Sequence, residues 1–318
     1  MNKIKNLVFE GGGIAGVAFS GALLQMEKDN LLKDFVRVGG TSAGAITATL
    51  LAVGYTAEEI SVIISGTKFS SFQDDNFGVI RDSYRLIKNY GWYQGDAFKK
   101  WLSYYIMLKT NKPEITFSDL HYGYKYKSLY VMGTNLTKQR SEIYSESTTP
   151  NMPIVDAIRI SMSIPLFFQC ERNVEGDILI DGGITDNYPI KLFDKCRYYA
   201  LNEDENVFWD KDIYNPETIG FRVDTFTEIN ANDESWRNPS VNISNFKDYV
   251  KAIMTYTMEA ANKRHLTTRD KDRTIFIDRD NIKAIDFNLT EEQIKLLIHN
   301  GKSAVTSFFK SREVCNDI

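Results

Sequence analysis

The residues of this chain best suited to covalent chemistry lie in two glycine-flanked turns and at one aspartate. Gly40-Thr41-Ser42-Ala43-Gly44 is a G-x-S-x-G. A serine on a sharp strand-to-helix turn sits in strained backbone, where side chains two residues to either side would clash. The helix N-terminus behind Ser42 favours negative charge building on its oxygen. Ser42 is therefore the candidate nucleophile, with Gly40 and Gly44 forming the elbow. Gly11, Gly12, Gly13 and Gly16 make an earlier glycine turn that satisfies G-x-G-x-x-G. Such a turn aims backbone N–H groups at a negative oxygen beside a helix N-terminus. That oxygen is a pyrophosphate in a nucleotide-binding protein and the oxyanion of a tetrahedral intermediate in an esterase. A plain packing turn is a third reading, and this motif alone does not choose among them.

A serine nucleophile needs a base. The three histidines, His121, His265 and His299, have no local context that recommends them. A Ser–Asp–His triad stays open, because His265 follows every candidate aspartate in chain order. Asp181 is the stronger candidate. It ends the apolar run Ile178 to Ile180 and opens onto Gly182-Gly183, which presents its carboxylate at a sheet edge. In a dry site its proton affinity rises enough for direct contact with a serine to transfer the proton.

Elements of a definite kind must position these groups. Ile4 to Phe9 and Phe35 to Val38 read as buried strands, each followed by a glycine turn and a helix (Val17 to Met26, then Ala43 to Val53, stopped by Gly54). Ala57 to Ser65 and Ile154 to Met162 read as helices, and Ser128 to Leu136 and Ser141 to Ser145 as strands. Ile178 to Ile180, Tyr198 to Leu201 and Ile219 to Val223 read as further strands. Phe246 to Ala261 is an amphipathic helix, and Thr290-Glu291-Glu292-Gln293 is a capping box ahead of a last apolar stripe. Strand, glycine turn and helix in repetition specify a three-layer α/β/α sandwich with a mainly parallel central sheet. With no repeat or linker, residues 1–318 read as one domain.

The three motifs, in this order, resemble the patatin-like phospholipase family, whose hallmarks are a glycine-rich oxyanion turn, G-x-S-x-G and Asp-Gly-Gly. Arg159-Ile160-Ser161-Met162-Ser163-Ile164-Pro165 and Thr134-Asn135-Leu136 are similar to further family segments. The likeness covers roughly residues 5–195; 196–318 join the same domain by position. The resemblance implies that Ser42 is the nucleophile, Asp181 the proton acceptor, and the amides around Gly12 and Gly13 the oxyanion hole. It implies hydrolysis of acyl esters of membrane glycerophospholipids, without metal or organic cofactor. One departure is Ala15, where family members usually carry Arg or Lys. Two readings of other classes stand beside this one: a nucleotide-binding protein, and a catalytically silent membrane-binding module.

Composition narrows the partners. The formal net charge of −4 gives no argument for nucleic acid. Cys170, Cys196 and Cys315 form neither a disulfide framework nor a zinc spacing. The uncharged stretch Val38 to Ala57 is studded with Gly, Ser and Thr and reads as a buried element, not a membrane span. A cytoplasmic or peripheral-membrane location is expected, and the same sequence is compatible with export as an effector; a protein activator is left unassigned. Residues 81–127 carry a net charge of +5 against the −4 of the whole chain. Trp92, Tyr93 and Trp101 in that stretch suit the headgroup level of a membrane as part of a lid, or else form an aromatic subcore. The acidic run Glu203-Asp204-Glu205, with Asp210 and Asp212, fits no calcium-loop spacing.

Overall fold

The computed structural model describes residues 3–73, 90–123, 125–199, 210–230, 242–262, 266–283 and 288–316. The chain begins with β1 (Asn6–Phe9), a 3-10 turn (Gly13–Gly16), α1 (Val17–Lys28), β2 (Arg37–Gly40), α2 (Ala43–Ala52) and α3 (Ala57–Gly66). Gly54, at φ +97°, ends α2 in a conformation that L side chains rarely adopt. Thr56 and Glu59 close a capping box on α3. Next come β3 (Gly91–Tyr93), α4 (Asp96–Thr110), β4 (Ser128–Asn135), β5 (Arg140–Tyr144) and α5 (Ile154–Ser161). Three short strands follow: β6 (Leu166–Phe168), β7 (Glu171–Arg172) and β8 (Ile178–Asp181). The C-terminal part contributes β9 (Thr218–Asp224), α6 (Phe246–Asn262), β10 (Thr274–Asp278) and α7 (Glu291–Asn316).

The main sheet has the order β10-β9-β1-β2-β4-β8-β7, with β5 also paired to β4. From β10 to β4 all pairings are parallel, whereas β5, β8 and β7 run antiparallel to their neighbours. This mixed, mostly parallel sheet flanked by helices is the expected α/β sandwich. β9 and β10 lie beyond residue 195; β9 pairs with β1 and β10 with β9, so the C-terminal part completes the same sheet.

Alternation along β1 divides the core. Leu7 and Phe9 enter the main cluster with α1, α2 and α7, while Val8 packs on the opposite face with Tyr188, Ile190 and Phe193. Val8 lies in register between Gly39 and Gly220. A Cβ at either glycine would strike Leu192 or Tyr188, at 2.4 and 1.9 Å respectively. Bare backbone on both sides of Val8 is thus what lets the 188–192 segment lie flat on the sheet. On the other face α7 crosses α1 closely, because a Cβ on Gly21 or Gly301 would lie 2.0 or 2.1 Å from the facing backbone. Thr290 and Gln293 cap α7 reciprocally, as the sequence requires.

Several expectations are corrected. β2 runs two residues beyond the apolar stretch, through Gly39 and Gly40, because its pairing with β1 continues to Phe9 opposite Gly40. Tyr198 lies in a helical turn (Cys196–Tyr199) rather than a strand, held edge-on against Tyr130 and Phe193. The strand β10 escapes a reading by apolar runs alone. In the basic aromatic stretch, Tyr93 is buried against Phe167 and Phe168. Trp101 is half-buried among Phe72, Phe98 and Tyr105, and Trp92 packs on the same core. These aromatics form an interior layer, and the exposed apolar side chains of α4 are instead Tyr104, Met107 and Leu108. Arg81, Arg85 and Lys88, and the run Glu203 to Glu205, lie outside the described residues. Asp210 and Asp212 pair with Arg197 and Lys195.

Candidate active site

β4 sets the geometry of the site. It spans 8 residues against 4 for β2, and so projects past the end of its neighbour. Gly40, the last residue of β2, lies opposite Val131. β8 returns antiparallel along the projecting part of β4 and places Asp181 opposite Gly133, two residues further on. A strand that runs backwards therefore ends at the same edge as β1 and β2, and Asp181 meets the elbow there.

Ser42 sits at φ 51°, ψ −123°, a region costly for any residue with a Cβ. The flanking glycines are obligatory. A Cβ on Gly40 would lie 2.6 Å from the Gly44 carbonyl carbon, and one on Gly44 would lie 2.4 Å from the Glu10 carbonyl oxygen. The Ser42 N–H donates to Ser161 Oγ at 2.8 Å, and Thr41 Oγ1 donates to the Asp186 carbonyl at 3.0 Å. The Ser42 hydroxyl points toward Met162 Sδ, 3.6 Å away.

Asp181 is 1% exposed. Its Oδ1 accepts the Gly183 N–H at 2.7 Å, while Oδ2 is buried with no ordinary hydrogen-bond partner. Burial pushes its pKa from 3.8 up to about 7, against the lowering effects of the Gly183 amide and the Ser42 side chain. The serine is thus Asp181's neighbour and influences its charge, although no hydrogen bond of regular geometry joins them. Gly182 has Met132 backbone where a Cβ would stand, at 2.6 Å.

The glycine turn separates into distinct roles. The Gly11 amide donates to the Asn187 carbonyl at 2.9 Å, so it is not available to an oxyanion. Gly16 is a packing residue, since a Cβ there would lie 3.0 Å from Ala43 Cβ. Among the described residues the Gly12 and Gly13 amides donate to no other group. Gly13 is at φ +52°, and Gly11 lies so close to the elbow that its Cβ would sit 3.3 Å from Ser42 Cβ. Behind the turn, Glu10 is fully buried, its Oε2 accepting the Val223 N–H at 2.8 Å. Burial raises its pKa to about 8, with Arg222 opposing. Ala15, at the position where a cation is usual, is wholly buried.

The structure brings together Ser42, Asp181 and the glycine turn, and of the histidines it describes, His121 and His299, it leaves both out. His121 and His299 are exposed side chains on other parts of the surface, and His265 lies outside the described residues. Three neighbours escaped the reading by motif. Ser161 and Met162 belong to a stretch singled out without roles. Asn187, in Asn187-Tyr188-Pro189 after the Asp-Gly-Gly turn, carries as its only signal a short polar residue before a proline. Ser42 has no solvent exposure. α6 packs against the Gly182–Ile184 turn beside it, and Gly95, Phe98, Met162 and Phe168, with the buried Arg159, line a narrow seam that reaches the serine through Met162. No described helix is long and apolar enough to cross a membrane, and Val38 to Ala57 folds as the end of β2, the elbow and α2.

The groups gathered at this sheet edge agree with the comparisons to known proteins, which place the chain among lipid hydrolases. The family model for patatin-like phospholipase matches residues 7–194, and the chain belongs to that family. It is 33% identical over 310 residues to the uncharacterized protein R571 of Acanthamoeba polyphaga mimivirus, covering 96% of this chain and 93% of that one. It is 32% identical over 189 residues to the probable lipid hydrolase 463L of Invertebrate iridescent virus 6, covering 59% and 62% of the two chains. The crystal structure of VipD from Legionella pneumophila superposes with a TM-score of 0.67 at 19% identity, over 98% of this chain and 67% of that one. Family membership removes the nucleotide-binding reading of the first glycine turn.

Proposed function

We propose that this protein hydrolyses acyl esters of membrane glycerophospholipids, as a phospholipase A or lysophospholipase, through a Ser42–Asp181 dyad. The observation that carries this reading is the buried, unpartnered Oδ2 of Asp181 beside Ser42, on a carboxyl whose proton affinity is already raised. The Ser42 hydroxyl turns from Met162 to Asp181, gives up its proton and attacks the ester carbonyl. The Gly12 and Gly13 amides receive the oxyanion, which in a dry site stabilises the transition state by several kcal/mol. Asp181 returns the proton to the departing alcohol, leaving an acyl-Ser42 ester. Water attacks that ester, Asp181 again takes the proton, and the serine is restored as the fatty acid leaves.

Because Ser42 is sealed from solvent, the covering elements must part before a lipid enters. The chain meets its lipid at a membrane surface through the outer face of α4, where Tyr104, Met107 and Leu108 are exposed beside Lys100. That apolar patch lies in the basic stretch of an otherwise acidic chain, as contact with anionic lipid requires.

Labelling with a fluorophosphonate probe tests the dyad. Folded wild type is expected to label, Ser42→Ala and Asp181→Asn are not, and a variant lacking all three histidines is expected to label normally. Loss of labelling with the histidines would replace Asp181 as the base. Absence of labelling in folded wild type would favour a closed enzyme awaiting an activator if label appears once anionic vesicles are added, and a silent membrane-binding module if it does not.

A further inference from the structure

Three segments far apart in sequence meet at Asn187, which is 1% exposed. Its carbonyl accepts the Gly11 N–H at 2.9 Å, and its side-chain Nδ2 donates to the Gly11 carbonyl at 2.7 Å. Its Oδ1 occupies the space where a Gly11 Cβ would stand, 2.2 Å from that position. Asn187 therefore grips a single glycine at its N–H, its carbonyl and its Cα. The residue before it, Asp186, accepts the Thr41 hydroxyl at the elbow and donates its N–H to the Gly182 carbonyl at 2.9 Å. A short stretch after Asp181 thus ties the Asp-Gly-Gly turn to the elbow and to the first glycine turn.

The grip has a directional consequence. The Gly11 carbonyl and the Gly12 N–H belong to one planar trans peptide unit and point in opposite directions. Pinning the carbonyl to Nδ2 fixes where the Gly12 N–H points. A hydrogen bond to the carbonyl also polarises the peptide and strengthens its N–H as a donor. Glycine on both sides of this peptide bond imposes little restraint of its own. Without the pin, the unit is free to rotate.

We infer that Asn187 is a positioning residue for the oxyanion turn, holding the Gly12 N–H on the developing negative charge at the substrate carbonyl oxygen. This rests on the serine-esterase reading above. Asn187 does not touch the reacting atoms; it acts through the Gly11–Gly12 peptide.

The experiment compares a soluble ester with its thionoester, in which sulfur replaces the carbonyl oxygen. Sulfur is a poor hydrogen-bond acceptor, so the oxygen-to-sulfur rate ratio reads the oxyanion contact itself. Asn187→Ala is expected to lower kcat on the oxygen ester about 100-fold, the scale of losing or misplacing one such donor, with KM nearly unchanged. The thionoester rate should fall far less, so that the ratio shrinks. A merely structural role would lower both rates together and leave the ratio intact, and that result would overturn the inference. Unchanged kcat would do the same. Asn187→Asp, nearly isosteric but lacking the donor to Gly11, is expected to reproduce the shrunken ratio and serves if the alanine variant does not fold. Turnover surviving in Ser42→Ala would sink the underlying reading instead, whatever Asn187 does.

Discussion

Replacing Asp181 with Asn should make the protein more stable as it abolishes activity, and the gain should grow with pH. The native carboxyl keeps its proton up to about pH 7, whereas its ordinary value is 3.8. Between these values the native state binds more protons than the unfolded chain, so stability falls as pH rises through the window and levels off above it. At about 1.4 kcal/mol per pKa unit, the ionised group costs on the order of 4 kcal/mol above pH 7 and much less at pH 5. Asn imitates the neutral acid and can keep the Gly183 N–H contact through its own carbonyl oxygen. Its amide nitrogen would stand where Oδ2 has no partner, at a cost of about 1–2 kcal/mol that does not vary with pH. Urea titrations of both proteins at pH 5 and pH 8 should therefore show the advantage of Asp181→Asn growing by roughly 2–3 kcal/mol. Glu10, also raised by burial, titrates in both proteins and cancels from the difference. The same carboxyl predicts that wild-type kcat/KM rises about tenfold per pH unit below pH 7 and is flat above. A stability difference independent of pH, or one favouring wild type at pH 8, would refute a buried base with raised proton affinity.

Ser42→Gly and Ser42→Ala both lose the hydroxyl, but only glycine is at ease at φ 51°, ψ −123°. The glycine variant should exceed the alanine variant in unfolding free energy by about 1–2 kcal/mol, despite glycine's more flexible unfolded chain; equal stability would mean an unstrained elbow. Replacing Tyr104, Met107 and Leu108 together with Ser should lower sedimentation with anionic vesicles at least several-fold while sparing hydrolysis of a soluble ester. Undiminished sedimentation would remove α4 from the membrane contact.

What was legible in the sequence, and what was not, follows from how each residue does its work. Gly40 and Gly44 could be read because their constraint is local: backbone two residues away leaves no room for a Cβ. Asp181 could be placed at the sheet edge because an apolar strand runs into it ahead of two glycines; an Asp-Gly-Gly tripeptide is more often a plain turn, and only its company with the two glycine motifs singles this one out. Tyr93 and Trp101 could not be placed from the sequence. An aromatic among lysines has the same composition whether it faces a lipid headgroup or, as here, Phe168 and Phe72. β10 was missed because its five residues, Thr274–Asp278, alternate weakly and gain their place from pairing with β9.

Asn187 marks the limit most clearly. Its bond to Gly11 spans 176 positions, and nothing within either segment requires it. The requirement arises only when β8 runs backwards along the overhang of β4 and carries its following turn to the glycines after β1. The motif counts Gly11 among the oxyanion donors, whereas the fold uses it otherwise. Its hydrogens leave room for the Asn187 side chain, and its amide is held by the Asn187 carbonyl, so that among the described residues only the Gly12 and Gly13 amides of the turn stay open as proposed donors. A motif names the residues that cannot vary locally. Which of them touches the substrate, and which only holds another in place, depends on partners that the fold supplies.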